Sequence, residues 1–169
     1  MKKLLLLIIF IGSVLHTCAH GVDSLQVQSA AITINSLSSR LEKLQHDYDY
    51  MYCDFEAYKL NKDLTDLDHG INIAINDIRI DMYNSRYDKD LYEAYLENYT
   101  ASCTLLESLK SKIETVKTLV YLKTLTSGFT DEEINILTST LTIINNSATK
   151  VQKTLNYYDV VLKAYIRKR

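Results

Sequence analysis

Proline and tryptophan are absent from this 169-residue sequence, and there are only four glycines. Proline breaks helices and glycine weakens them, so their scarcity fits long helices joined by short connections. Strong charge of either sign is also missing. A formal net charge of −2 argues against a nucleic-acid partner held by counterion release, and the one basic cluster is the ending Arg167-Lys168-Arg169. There is no phosphate-cradling glycine loop, no nucleophile elbow and no paired-cysteine metal knuckle. The composition excludes no catalyst outright, but it points to a protein without enzymatic activity, cofactor or metal.

What is abundant is apolar residues at helical spacing, with 13 tyrosines among them. The run Val27, Ala30, Ile34, Leu37, Leu41, Leu44, Tyr48, Met51, Phe55 and Tyr58 keeps an unbroken 3-4 spacing. Such residues share one seam of a long helix, which a partner helix is expected to cover. A second seam starts at Tyr50 and continues through Cys53, Ala57, Leu60, Leu64, Leu67, Ile71, Ala74 and Ile78. Around residues 48 to 60 the helix is therefore apolar on two sides. Asp23 or Ser24 is available to cap its start. The spacing predicts a helix over about 24–68, ending at Asp68-His69-Gly70 or kinked there and continuing to about 83.

The polar stretch 84–90 interrupts every seam, and Asp88 or Asp90 can cap the next helix. That helix is expected over about 90–126, with Tyr92, Tyr95, Tyr99, Ser102, Leu106, Leu109, Ile113, Val116 and Val120 on one face. Gly128 suits the left-handed closing conformation. Thr130 with Glu133 forms a capping box flanked by the hydrophobic staple Phe129 and Ile134, and Asp131 and Glu132 favour the positive end of the dipole. The helix over 131–168 carries Ile134, Leu137, Leu141, Ile144, Ala148, Val151, Leu155, Tyr158, Leu162 and Tyr165 inward. The β-branched stretch Ile136 to Ile143 also alternates as a strand would; the cap before it favours helix. The fold class is all-α, an elongated three- to four-helix bundle with long coiled-coil-like helices.

Lys2 and Lys3 precede an apolar run, Leu4 to Leu15, and the small-residue region Thr17-Cys18-Ala19. This is the three-part pattern of a secretory signal peptide over 1–19, leaving the bundle at 20–169. Losing Lys2 and Lys3 takes the formal charge from −2 to −4. Leu15-His16-Thr17-Cys18 also resembles a bacterial lipobox, with threonine in place of the usual small residue before the cysteine. On that alternative Cys18 is lipidated, and a lipid anchor is the chain's one route to a membrane.

Cys53 and Cys103 are a candidate disulfide in an exported protein, with two separate buried thiols as the alternative. Glu42 with His46, and Asp77 with Asp81, share helix faces, but the glutamate–histidine pair repeated on facing helices of metal-binding bundles is absent. These residues, and His69, read as surface or turn positions. Asn98 and Asn145 begin glycosylation sequons, which matter only in a eukaryotic secretory route. Among the tyrosines, Tyr52 and Tyr121 are the outward candidates for partner binding, since tyrosine is enriched at interfaces.

The signal pattern, the first helix with its LEKLQHDYDYMY segment (Leu41 to Tyr52), and the late hairpin introduced by Phe129-Thr130-Asp131-Glu132-Glu133 together resemble exported helical subunits of bacterial conjugative type IV secretion systems. The resemblance covers most of the mature chain. It rests on architecture and brings no functional residue with it. It implies a non-enzymatic role in the periplasm or at the cell surface, at a pilus tip or in an envelope-spanning channel. Partners would be other envelope or secretion-system proteins. A periplasmic chaperone that grips unfolded clients, or an inhibitor-type binding protein, are the alternatives.

Overall fold

The computed structural model describes residues 24–84 and 87–167. All its elements are helices: α1 (Ser24–Tyr83), α2 (Lys89–Thr126) and α3 (Asp131–Ile166). The signal region 1–19, including Cys18, lies outside the described residues, as does Asp23. The chain divides into two units, one ending at Gln45 and one comprising His46–Arg169. Helix α1 contributes to both.

The start of each later helix arises from its local sequence. Asp88 caps α2, its carboxylate accepting from the Asp90 and Leu91 amides. At α3 the capping box is complete. Thr130 Oγ1 accepts from the Glu133 amide at 3.2 Å, and Glu133 Oε2 accepts from the Thr130 amide at 2.8 Å. Gly128 closes the connection at φ 64°, a conformation that costs glycine little. Ile136 to Ile143 lies within α3, since helix capping and a 3-4 apolar face outweigh β propensity there.

In the His46–Arg169 unit the three helices form a bundle whose directions can be read from its cross-links. His46, Asn61 and Asp68 of α1 bond to Glu133, Ser147 and Thr154 of α3. Both sets rise together, so α1 and α3 run parallel. Asp49 and Asp81 of α1 bond to Lys123 and Tyr95 of α2, which therefore runs antiparallel. The core is built from the second seam of α1 (Cys53 to Ile78), the α2 seam from Ser102 to Val120, and the α3 seam from Leu137 to Tyr165.

Helix α1 does not stop at Asp68 but passes through Gly70 to Tyr83. A Cβ built on Gly70 meets nothing within 4 Å. Gly70→Ala should therefore raise the stability of this unit by about 0.5–1 kcal/mol, by removing freedom from the unfolded chain and improving helix propensity. The readout is a higher urea midpoint at unchanged slope.

The first seam departs from expectation. Within the His46–Arg169 unit, Tyr48, Met51, Phe55 and Tyr58 are all exposed. In the residues up to Gln45, Val27, Leu37, Leu41 and Leu44 are exposed and Ala30 and Ile34 half-buried. The reason is geometric. Within the His46–Arg169 unit the two seams lie on opposite faces of α1, and both α2 and α3 pack on the second.

Candidate interaction surface

The polar residues singled out from the sequence serve mainly to join helices. His46 Nε2 lies 3.2 Å from Glu133 Oε2, its Nδ1 lies 3.3 Å from Asp47 Oδ1, and its ring meets Phe129 edge-on at 5.6 Å. It thus ties α1 to the capped start of α3. The Glu133 carboxyl is held below its usual range, chiefly by the Thr130 amide, with smaller contributions from the Thr130 hydroxyl and His46. Asp81 accepts from Tyr95 Oη at 2.8 Å. Asp77 and His69 are exposed, as is Glu42 in the first unit. Among the described residues no group of three or more His, Cys, Asp or Glu is placed to hold a metal ion. Asn98 and Asn145 sit on α2 and α3.

Cys53 and Cys103 are both free thiols. Cys53 is fully buried in the core, and burial, ahead of the opposing influence of Lys123, pushes its thiol pKa up. That environment favours an inert thiol over a reactive one. Cys103 is half-buried beside Tyr99.

Two buried carboxylates escape notice in the sequence. Asp49 is 3% exposed and accepts from Lys123 Nζ at 2.8 Å and Ser127 Oγ at 2.6 Å. It binds α1 to the last turn of α2, where the lysine also complements the negative end of the helix dipole. Asp68 accepts from Thr154 Oγ1 at 2.7 Å and pairs with Lys150 Nζ at 2.8 Å. Burial alone would raise its pKa, but the Lys150 and Thr154 hydrogen bonds and the lysine charge outweigh it and lower the value. Asp49 stands four residues before Cys53, in register with the buried seam. A polar residue at a seam position was the signal available.

The tyrosines divide into two populations. Tyr87, Tyr92 and Tyr95 pack around Tyr165, with ring centroids 5.6 to 6.4 Å apart, and Tyr99 meets Tyr158 edge-on at 5.5 Å. Their hydroxyls are used: Tyr158 Oη donates to the Tyr95 carbonyl, and Tyr165 Oη accepts from the Asp88 amide. These rings complete the bundle. Burial pushes the Tyr158 phenol up to about 12, with Asp77 adding to the effect, and raises Tyr95 as well, helped by its bond to Asp81. Because the folded state favours the neutral phenol, this contribution to stability is complete below the ordinary value of 10.0 and is lost as pH climbs through 12. Urea midpoints should hold steady up to pH 10 and fall beyond it, in step with phenolate absorbance.

The second population faces outward. Tyr52 and Tyr121, the sequence's candidates, are both exposed. Tyr52 stacks on Tyr48 at 6.2 Å with the rings nearly parallel. With Met51, Phe55 and Tyr58 they make an uncovered apolar, aromatic face on α1 of the His46–Arg169 unit. Tyr121 stands with exposed Leu122 and Leu125 on the last turns of α2. Sequence periodicity places Met51, Phe55 and Tyr58 on a seam but assigns that seam to the interior, and the structure corrects the assignment. No described helix is long and apolar enough to cross a membrane.

The fold and this surface define an all-α helical bundle with an uncovered apolar seam on its first helix. Comparison with known proteins finds no matching family model, no similar curated protein and no similar solved structure.

Proposed function

We propose that the chain is a non-enzymatic exported envelope protein, an assembly or adhesion component of a conjugative or secretion apparatus that binds other subunits through the open seam of α1. One observation carries the reading: Tyr48, Met51, Phe55 and Tyr58 stand exposed in a row on a helix whose opposite side is already packed. Contiguous apolar surface of this kind marks protein–protein interaction sites, and tyrosine and phenylalanine supply large contact area at low entropic cost. Export is supported by Lys2, Lys3, the Leu4 to Leu15 run and Thr17-Cys18-Ala19. The apparatus is supported by the resemblance of the Leu41 to Tyr52 segment and the capped late helix to transfer-system subunits.

Cross-linking in the cells that make the protein, followed by mass spectrometry, tests this. The expected result is recovery of channel or pilus subunits, cross-linked at α1 and lost in a Tyr52→Ser/Phe55→Ser variant. A broad set of unfolded envelope proteins would replace the reading with a chaperone role. Recovery of a single soluble enzyme or host protein would replace it with an inhibitor or adhesin.

A further inference from the structure

We infer that the open aromatic face of α1 in the His46–Arg169 unit receives a basic amphipathic helix of a partner protein, one that carries lysine or arginine beside its apolar stripe. The inference rests on reading this face as an interaction surface, and it names the chemistry of the occupant.

The apolar part of the face suits a helix. Tyr48, Met51, Tyr52, Phe55 and Tyr58 are 41 to 65% exposed. They stand at helical spacing over about 15 Å of the axis. Side chains arranged in this way form ridges and holes that take the knobs of another helix, and the length matches about three turns of one. The stacked Tyr48 and Tyr52 rings add π faces, which hold a guanidinium or ammonium group as readily as an aliphatic side chain.

The charge decides which helix. Asp47, Met51, Asp54 and Tyr58 follow 3-4 spacing, so acid alternates with apolar side chains along one edge of the face. Both aspartates are exposed. The neighbouring helix adds to them. His46 Nε2 lies 3.2 Å from Glu133 Oε2, which sets the start of α3 beside this part of α1, and Asp131 and Glu132 are exposed on that first turn. Tyr50 records the convergence. Its phenol pKa is raised first by burial and then by Asp54, Glu133 and Glu132, so carboxylates from both helices bear on one hydroxyl.

Little positive charge offsets them. Neither residues 46–58 nor residues 127–149 include a lysine or arginine, and Lys59 follows only at the far end of the face. Lys123, reaching across from α2, is engaged by the buried Asp49. The apolar face is thus flanked by an excess of negative charge. A second copy of the chain brings the same excess with it, and an anionic lipid surface is repelled. A cationic helix is attracted and steered to the face.

Fluorescence anisotropy with two synthetic helical peptides, each about three heptads long, tests this on the protein purified as its own cells process it. The peptides share one leucine stripe, flanked in the first by lysine and arginine and in the second by glutamate. The basic peptide should bind with micromolar Kd, and the glutamate peptide at least about tenfold more weakly. Salt at about 0.5 M should weaken the basic peptide several-fold. Phe55→Ser should weaken it about tenfold, and Asp47→Lys/Asp54→Lys should reverse the preference between the two peptides. Circular dichroism and urea unfolding check that each variant keeps the bundle; the peptide preference and salt response of the unaltered protein need no variant. Equal binding of the two peptides, or binding that Phe55→Ser leaves unchanged, overturns the inference. So does a dimer in sedimentation equilibrium, or attachment to phosphatidylglycerol vesicles, that Phe55→Ser abolishes. In the producing cells, envelope subunits that still cross-link at α1 in Asp47→Lys/Asp54→Lys would overturn the basic partner alone. Absence of every cross-link in the unaltered protein would remove the interaction-face reading too.

Discussion

Leu64→Ala is expected to cost the His46–Arg169 unit about 2–5 kcal/mol, enough to bring a domain of this size near the edge of stability. Leu64 is fully buried, on the seam that both other helices cover. Truncation removes the transfer free energy of the lost atoms and leaves a cavity that three packed helices close only in part. Phe55→Ala deletes a larger side chain from the same helix, yet at concentrations too low for association its expected cost is within about 0.5 kcal/mol, because Phe55 is exposed in the single chain. Urea unfolding of the two variants side by side, with midpoints and slopes compared, is the check. Equal losses would mean that the first seam is covered within a single chain.

Asp49→Ala has the second large expected effect, about 3 kcal/mol. The alanine removes a buried carboxylate that satisfies Lys123 Nζ and Ser127 Oγ together. It leaves the lysine only partly hydrated and the serine hydroxyl short of an acceptor. Asp49→Asn keeps an acceptor for Ser127 and should lose less. A double-mutant cycle with Lys123→Met separates the pair from the rest of the network. A coupling of about 1 kcal/mol or more is expected, and a coupling near zero would mean that solvent replaces the lysine at no cost. Removing Asp49 also weakens the tie between α1 and the end of α2, so α2's last turn should exchange amide hydrogens faster.

Much of this architecture was legible locally. The cap at Thr130 and Glu133 depends on side chains that reach their own backbone, so it is visible in a four-residue window and forms as written. The same holds for Asp88 and Gly128. The buried faces of α2 and α3 were legible because each of those helices has one apolar stripe and therefore one way to face a core. Gly70 was harder to read. Glycine ends helices or interrupts them depending on whether the packing on either side is worth continuing, and Leu67 and Ile71 are both buried.

The candidate site was legible only in its ingredients. Tyr52 and Tyr121 were correctly placed outward, but the face Tyr52 belongs to was not, and the buried carboxylates Asp49 and Asp68 were not singled out as helix-joining residues. Cys53 and Cys103 illustrate the same limit. Pairing depends on how two helices are rotated about their axes, and spacing along the chain says nothing of that.

By itself, then, the amino-acid order determined the helices, their caps and the existence of two apolar seams on α1, because these arise from backbone hydrogen bonding and a period of about 3.6 residues. Only the tertiary structure decided which seam is interior. Both satisfy the same periodicity, and the choice depends on where α2 and α3 return, which sets what is buried and what stays open for a partner.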